Sequence, residues 1–334
     1  MSKNREGTRG GSCQGVGNVF RFTLQQMVKN KANLIILVIL LLVAVLAVPV
    51  GGIFLADESE PVMTSYVSVL TMEDYLDGGG LDEGTQYVIQ YAYSIIVMIV
   101  CVFSVTYIVR TIVEEKVSRL VETLMVSIRP LALVFGKILA VMVFVFAQLV
   151  LLAGAAVLSY TVCGQFMDVS YVWDFLGSMG ITAEALHLGA VEILILAVSL
   201  FLAYLFFSLL AGLAGAGCAN MDEIEGANMA AMGAILAGYI VSAIGFAVSD
   251  GIWLYVMAIC PAVSAFTAPV YYLFGDISFG VLAASWGVEL VLIVVLLLIA
   301  AKVYDQLILY KGSRMKLGRI LAMAAFGQKG GRRA

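Results

Sequence analysis

The chain has one histidine in 334 residues. Zinc sites that need two or three imidazoles are therefore excluded. Its five cysteines, Cys13, Cys101, Cys163, Cys218 and Cys260, show no metal-ligand spacing. Cys163 and Cys260 both fall near one predicted outer face, where two unrelated thiols is preferred to a disulfide. No phosphate-cradling loop of the form G-x-x-x-x-G-K-[ST] occurs, so any ATP used belongs on another chain. No cleavable leader is evident, because the first apolar run starts near residue 34 and is too long for one. Nor is there a polar stretch long enough for a soluble domain.

What the chain has is apolar length. Hydrophobic residues make up 62% of it, well above the soluble norm. Runs of about 20 apolar residues can cross about 30 Å of hydrocarbon as helices. Six are predicted, at Leu34–Leu55, Tyr91–Val109, Leu131–Tyr160, Val191–Ala216, Met229–Val248 and Phe279–Ala301. The expected fold is an all-α integral membrane protein. Residues 1–33 form a tail and an interfacial helix, 34–301 the six-span domain, and 302–334 a basic tail.

All 19 Lys and Arg fall in the amino-terminal tail, between spans two and three, or at the carboxyl end. The connections Ala56–Gln90, Thr161–Ala190 and Ser249–Ser278 contain none. By the positive-inside rule both termini are cytoplasmic, in a multi-pass protein of the cell membrane. The net charge of -4 follows from eight carboxylates in the first outer loop and does not speak for nucleic acid as a partner. The basic tail points to anionic lipid of the bilayer. From Val19 the tail reads as an amphipathic helix, with Val19, Phe20, Leu24, Met27 and Val28 on one face. The stretch Ile252–Phe274 is apolar but interrupted by Pro261 and Pro269. A seventh crossing would move the basic tail outside, so a re-entrant hairpin over about 252–274 is expected, with its broken backbone buried in protein.

The segment Ile112–Ile138 is the most informative. Val113, Val117, Leu120, Val121, Leu124 and Ile128 recur at helical spacing, opposite Glu114, Glu115, Ser118, Arg119 and Glu122. Glu115 to Arg119 is an i,i+4 pair in the favourable order. This predicts an amphipathic helix over about 112–128 on the inner face, its charged side toward a soluble partner. The short acidic connection after span four adds Asp222 and Glu223 to that side.

These residues carry a resemblance. Glu114, Glu115, Lys116, Arg119, Glu122, Leu124, Ser127, Pro130, Leu133, Gly136 and Lys137 form a pattern that resembles permease subunits of type-2 ABC exporters. It is most similar to the NatB-type sodium-efflux and antibiotic-resistance branch. The resemblance implies that 112–128 is a coupling helix docking an ABC ATP-binding subunit, with Glu114, Glu115, Lys116, Arg119, Glu122, Asp222 and Glu223 as coupling residues. It also implies a homodimer, or a heterodimer with a second permease. ATP and Mg²⁺ then sit on the partner, with no cofactor here, and Pro261 and Pro269 belong to an outer gate. Branch members often carry a large domain between spans one and two, where this chain has only Ala56–Gln90.

Other classes compete. Glu114-Glu115-x-x-x-Arg119 also matches the signature of CAAX-type intramembrane proteases, but the lone His187 lies in a predicted outer loop. An ATP-independent transporter or channel would want charges deep in several spans, and spans one to five have essentially none. Glu289 is the exception, about eight to eleven residues into span six. An ionisable group at such depth costs at least about 2.5 kcal/mol and is a candidate pathway or proton-coupling residue. The competing reading is a neutral or locally bonded carboxyl near Trp286.

Overall fold

The computed structural model describes residues 15–55, 83–118, 130–173, 189–248 and 251–308. These are helical almost throughout, with no strand among the described residues. In chain order the helices are α1 (Val16–Lys29), α2 (Lys31–Leu55), α3 (Glu83–Val117), α4 (Pro130–Cys163), α5 (Ala190–Ala216), α6 (Ile224–Val248), α7 (Ile252–Ile259), α8 (Pro261–Leu273) and α9 (Phe279–Ile308). Six stretches are long and apolar enough to cross a membrane: Lys31–Ile53, Gln86–Val117, Ala132–Cys163, Ala190–Ala216, Met221–Gly245 and Phe279–Ala300. They match the six runs expected from sequence. The second helix runs further than expected at both ends. At 35 residues α3 is about 52 Å long, well beyond the hydrocarbon thickness.

The bundle is built around α3 and α5, the most buried of the spans. Their approach is set by small residues. A Cβ on Gly215 would lie 3.2 Å from the Val109 Cα, and one on Gly212 3.8 Å from Ile112. The run Ala211–Gly217 thus brings two backbones together, the usual means of gaining dispersion contact where lipid offers no hydrophobic drive. Polar links join the other helices. The Tyr204 hydroxyl of α5 donates to the Ile138 carbonyl of α4 at 2.6 Å. The Tyr107 hydroxyl of α3 meets Gln148 Oε1 at 3.2 Å. By contrast α2 is peripheral, with nothing in its most apolar window buried.

Prolines break helical hydrogen bonds, and side chains replace them. Pro49 within α2 has no N–H for the Val45 carbonyl, and the Ser159 hydroxyl of α4 donates to that carbonyl at 2.6 Å. The neighbouring Val48 carbonyl accepts from the Tyr171 hydroxyl. Likewise Pro261 cannot donate to Met257, and the Thr267 hydroxyl does so at 3.2 Å. In a medium without water each such orphaned carbonyl would cost several kcal/mol.

Helices α7 and α8 meet at Cys260 with a bend of 115°. Cys260 is extended, as a residue before proline prefers, and Pro261 takes the first helical position, where its missing N–H does no harm. Val263 through Tyr271 are all buried. The broken segment is therefore packed in protein. It turns out of α8 through Gly275, at φ 81°, and Gln86 Nε2 of α3 holds Asp276 at 2.6 Å.

The tightest helix approach lies under this bend. A Cβ on Gly238 of α6 would overlap the Ala262 carbonyl oxygen, whereas one on Gly154 of α4 would meet nothing within 4 Å. Gly238→Ala should therefore lower the thermal stability of the detergent-purified protein by about 1–3 kcal/mol equivalent. Gly154→Ala should leave it unchanged or slightly higher. Equal melting temperatures for the two variants would contradict the packing described.

Candidate functional site at the basic end of the bundle

The carboxyl end of α3, the amino ends of α1 and α4 and the carboxyl end of α5 gather at one end of the bundle, the one the charge pattern assigns to the inside. Three consecutive charged residues of α3 reach three different partners there. Glu114 is half-buried and accepts from Arg110 Nε at 2.7 Å, an i,i+4 pair. Glu115 is 1% exposed, and its Oε2 lies 2.5 Å from the Nζ of Lys137 in α4, itself 1% exposed. Neither of these two charges has a further hydrogen-bond partner. Lys116 Nζ donates to the Ala216 carbonyl at 2.9 Å, so a cation caps the negative end of α5. Glu223 and Cys218 are near enough to Lys116 to interact with it electrostatically.

The next layer is α1. Val19, Thr23 and Met27 recur every four residues along one face and are buried, against α4. Gly136, immediately before Lys137, permits the approach: a Cβ there would lie 2.9 Å from the Val19 Cβ and 3.0 Å from the Val16 carbonyl oxygen. The connection from α5 to α6 closes through a short 3₁₀ turn, Met221–Glu223. The Glu223 carboxylate accepts from the Ala219 N–H at 2.7 Å. Asp222 and Glu225 stay exposed. Among the described residues no group of three or more His, Cys, Asp or Glu is placed to hold a metal ion; the arrangement ties helix ends together.

A family model described as "ABC-2 family transporter protein" matches residues 23–302, a range that includes α3, α4 and α5. The chain belongs to this ABC-2 family. "Uncharacterized protein YhaP" of Bacillus subtilis (strain 168) is 23% identical over 270 residues, covering 79% of this chain and 62% of that relative. The chain thus spans less than two thirds of the length of the curated relative it matches. No solved structure matches it.

This ABC-2 chain departs from the sequence expectation at the segment that carries the motif. A separate helix was expected to begin near Ile112. Instead 112–117 continues α3, and Ile112 and Val113 are buried, Ile112 against Gly212 and Gly215. The two faces are also exchanged in part. Val117, expected on the apolar side, is 47% exposed, while Glu115, expected to face a partner, is interior. The cause is Lys137, which supplies the opposite charge that lets a carboxylate be buried. Arg119, Glu122 and Ser127 lie outside the described residues, as does His187. Pro130 opens α4. Pro261 sits at the α7–α8 bend and Pro269 is buried inside α8.

Sequence reasoning missed the joining of Glu115 to Lys137. Both stood in the motif, but helical spacing cannot relate residues on two helices. It also missed Arg110, although i,i+4 spacing to Glu114 was available. Glu289 is 2% exposed on α9, far from this end. None of the four described cysteines, Cys101, Cys163, Cys218 and Cys260, forms a disulfide.

Removing one member of a buried pair leaves the other charge uncompensated, at a cost of about 3–5 kcal/mol. Lys137→Met should lower the unfolding temperature sharply. Glu115→Leu combined with Lys137→Met should recover most of the loss, because an apolar pair can replace a buried ion pair at little cost. A Lys137→Met protein as stable as the parent would show that the two charges do not depend on each other.

Proposed function

We propose that this chain is the membrane-spanning permease subunit of an ATP-driven ABC exporter, worked by an ATPase on a separate chain. Family membership supports the general class. The observation that carries the mechanism is the double tie at the end of α3. Glu115 links it to α4, and Lys116 links it to α5. The motif residues 119–129 follow directly in the chain. A force applied by a partner to that segment enters spans two, three and four together.

In this reading Arg119 and Glu122, with exposed Asp222 and Glu225, meet the ATP-binding subunit, which carries the nucleotide and Mg²⁺. Glu114, Lys116 and Glu223 set the shape of the docking end. Glu115, Gly136 and Lys137 transmit the movement. The α7–α8 hairpin, with Pro261 and Pro269, forms the outer gate and moves as the spans reorient. Two permease copies, or this one and a paralogue, complete the pathway in the cell membrane, with both termini inside. The largely apolar interior favours a hydrophobic drug, peptide or lipid-like substrate over a bare ion. The likeness to the NatB-type branch rests on the pattern from Glu114 to Lys137 alone.

Arg119→Glu with Glu122→Lys tests the docking. Charge reversal at a desolvated contact costs about 2–5 kcal/mol of association, or roughly 30-fold to several-thousand-fold in affinity. The same change on a water-facing side costs under about 0.5 kcal/mol. The double variant should insert normally yet fail to co-purify with the ATPase that the parent chain captures. Normal capture and transport would remove the coupling role from this segment.

A further inference from the structure

Glu289 is the eleventh of the 22 residues in the apolar stretch Phe279–Ala300, which places it at mid-span. Its neighbours in sequence, Val288 and Leu290, are exposed on the outer face of α9. The carboxyl itself points inward and is 2% exposed. Its Oε1 has no hydrogen-bond partner. The groups that face it come from two other helices. Tyr93 and Cys101, two turns apart on α3, both interact with it electrostatically. Ser199 of α5 lies beside Tyr93. Its hydroxyl accepts from the Trp286 indole N–H at 2.9 Å, one turn before Glu289.

Among the described residues no cation pairs with this carboxyl. The helices packed on α9 are α4, α5, α7 and α8, and α3 faces Glu289 through Tyr93 and Cys101. The cations these helices carry are all engaged at the basic end, Lys137 by Glu115, Arg110 by Glu114 and Lys116 by the Ala216 carbonyl. The carboxylate Glu192 on α5 is turned back onto its own helix start at Gly189. An isolated ionised carboxylate in an apolar interior is far too costly to persist. A side chain this enclosed admits neither a solvated ion nor a substrate, so the balancing charge that fits is a proton.

We propose that Glu289, on the seam between α3, α5 and α9, is an intramembrane proton site. It carries a proton while the seam is closed. When the seam opens, the carboxyl O–H breaks and the proton passes to water entering between the helices, leaving a carboxylate that is reprotonated before the seam closes. The opening step rests on the exporter reading, whereas the resting protonation does not.

The experiment uses the full chain alone in lipid nanodiscs, so its outcome is independent of any ATPase partner. Infrared spectra of the parent and E289Q proteins are subtracted at neutral pH. The difference should show a protonated-carboxyl C=O stretch, lost in E289Q; a carboxylate band in its place would overturn the proposal. Should E289Q fail to fold, Tyr93→Phe should retain the band at a shifted frequency, and an unshifted band would remove Tyr93 from the site. Coupling to the seam is read at Cys101, by mass spectrometry after maleimide treatment at rising pH. Labelling should climb more steeply in the parent than in E289Q, which mimics the protonated carboxyl. Parallel curves would sink the coupling.

Discussion

The basic end of the molecule depends on one buried ion pair. Glu115 and Lys137 are each almost wholly enclosed, and among the described residues each is the other's neutralising partner. Such a pair adds little net stability over an apolar equivalent, but losing one member is severe. It therefore fixes an arrangement more than it strengthens it. Once Glu115 must meet Lys137, the end of α3 is held against the start of α4. Gly136 then presents a bare backbone to α1, and Lys116 is left to cap α5.

The same logic of compensation recurs along the bundle. At Pro49 and Pro261, where proline removes a backbone donor, a hydroxyl from another helix supplies one: Ser159 for Val45, Thr267 for Met257. These bonds are long-range in sequence or cross a helix break, so they also position the elements they repair. The bend at Cys260 is in this sense a defined joint, seated on Gly238 of α6 and Phe266 of α8, whose carbonyl accepts from Gln90 of α3 at 3.0 Å. Glu289 is a buried carboxyl with no cation partner among the described residues, which is why it is read as a proton site.

Much of the architecture was legible in the sequence because the bilayer constrains it so heavily. Apolar length marks the spans, and two prolines in an apolar run mark the broken α7–α8 segment. The run Ala211–Gly217 consists largely of Gly and Ala, and the structure places α3 against it. The functional end was less legible. Helical periodicity assigned Glu115 to an outward side because it is charged, and Val117 to an inward side because it is apolar. Spacing along one helix is blind to a lysine on the next. For the same reason Glu289 stood out by depth alone, while Tyr93, Cys101 and Ser199, ordinary residues of two other spans, gave no sign of facing it.

The account's central claim is that the motif around Glu115 works inward, joining spans two and three, and passes force from the adjoining 119–129 segment. The most direct test places cysteines by Glu115→Cys and Lys137→Cys in one chain and applies a bifunctional thiol reagent, of a length matching a Glu and a Lys side chain end to end, to native membranes. Side chains whose charged ends meet at 2.5 Å put their backbones within reach of such a bridge. The account predicts an intramolecular link, and poor reaction of the single Glu115→Cys thiol with a water-soluble maleimide. Free labelling at position 115 with no link to 137 would contradict it, returning that residue to an exposed docking face.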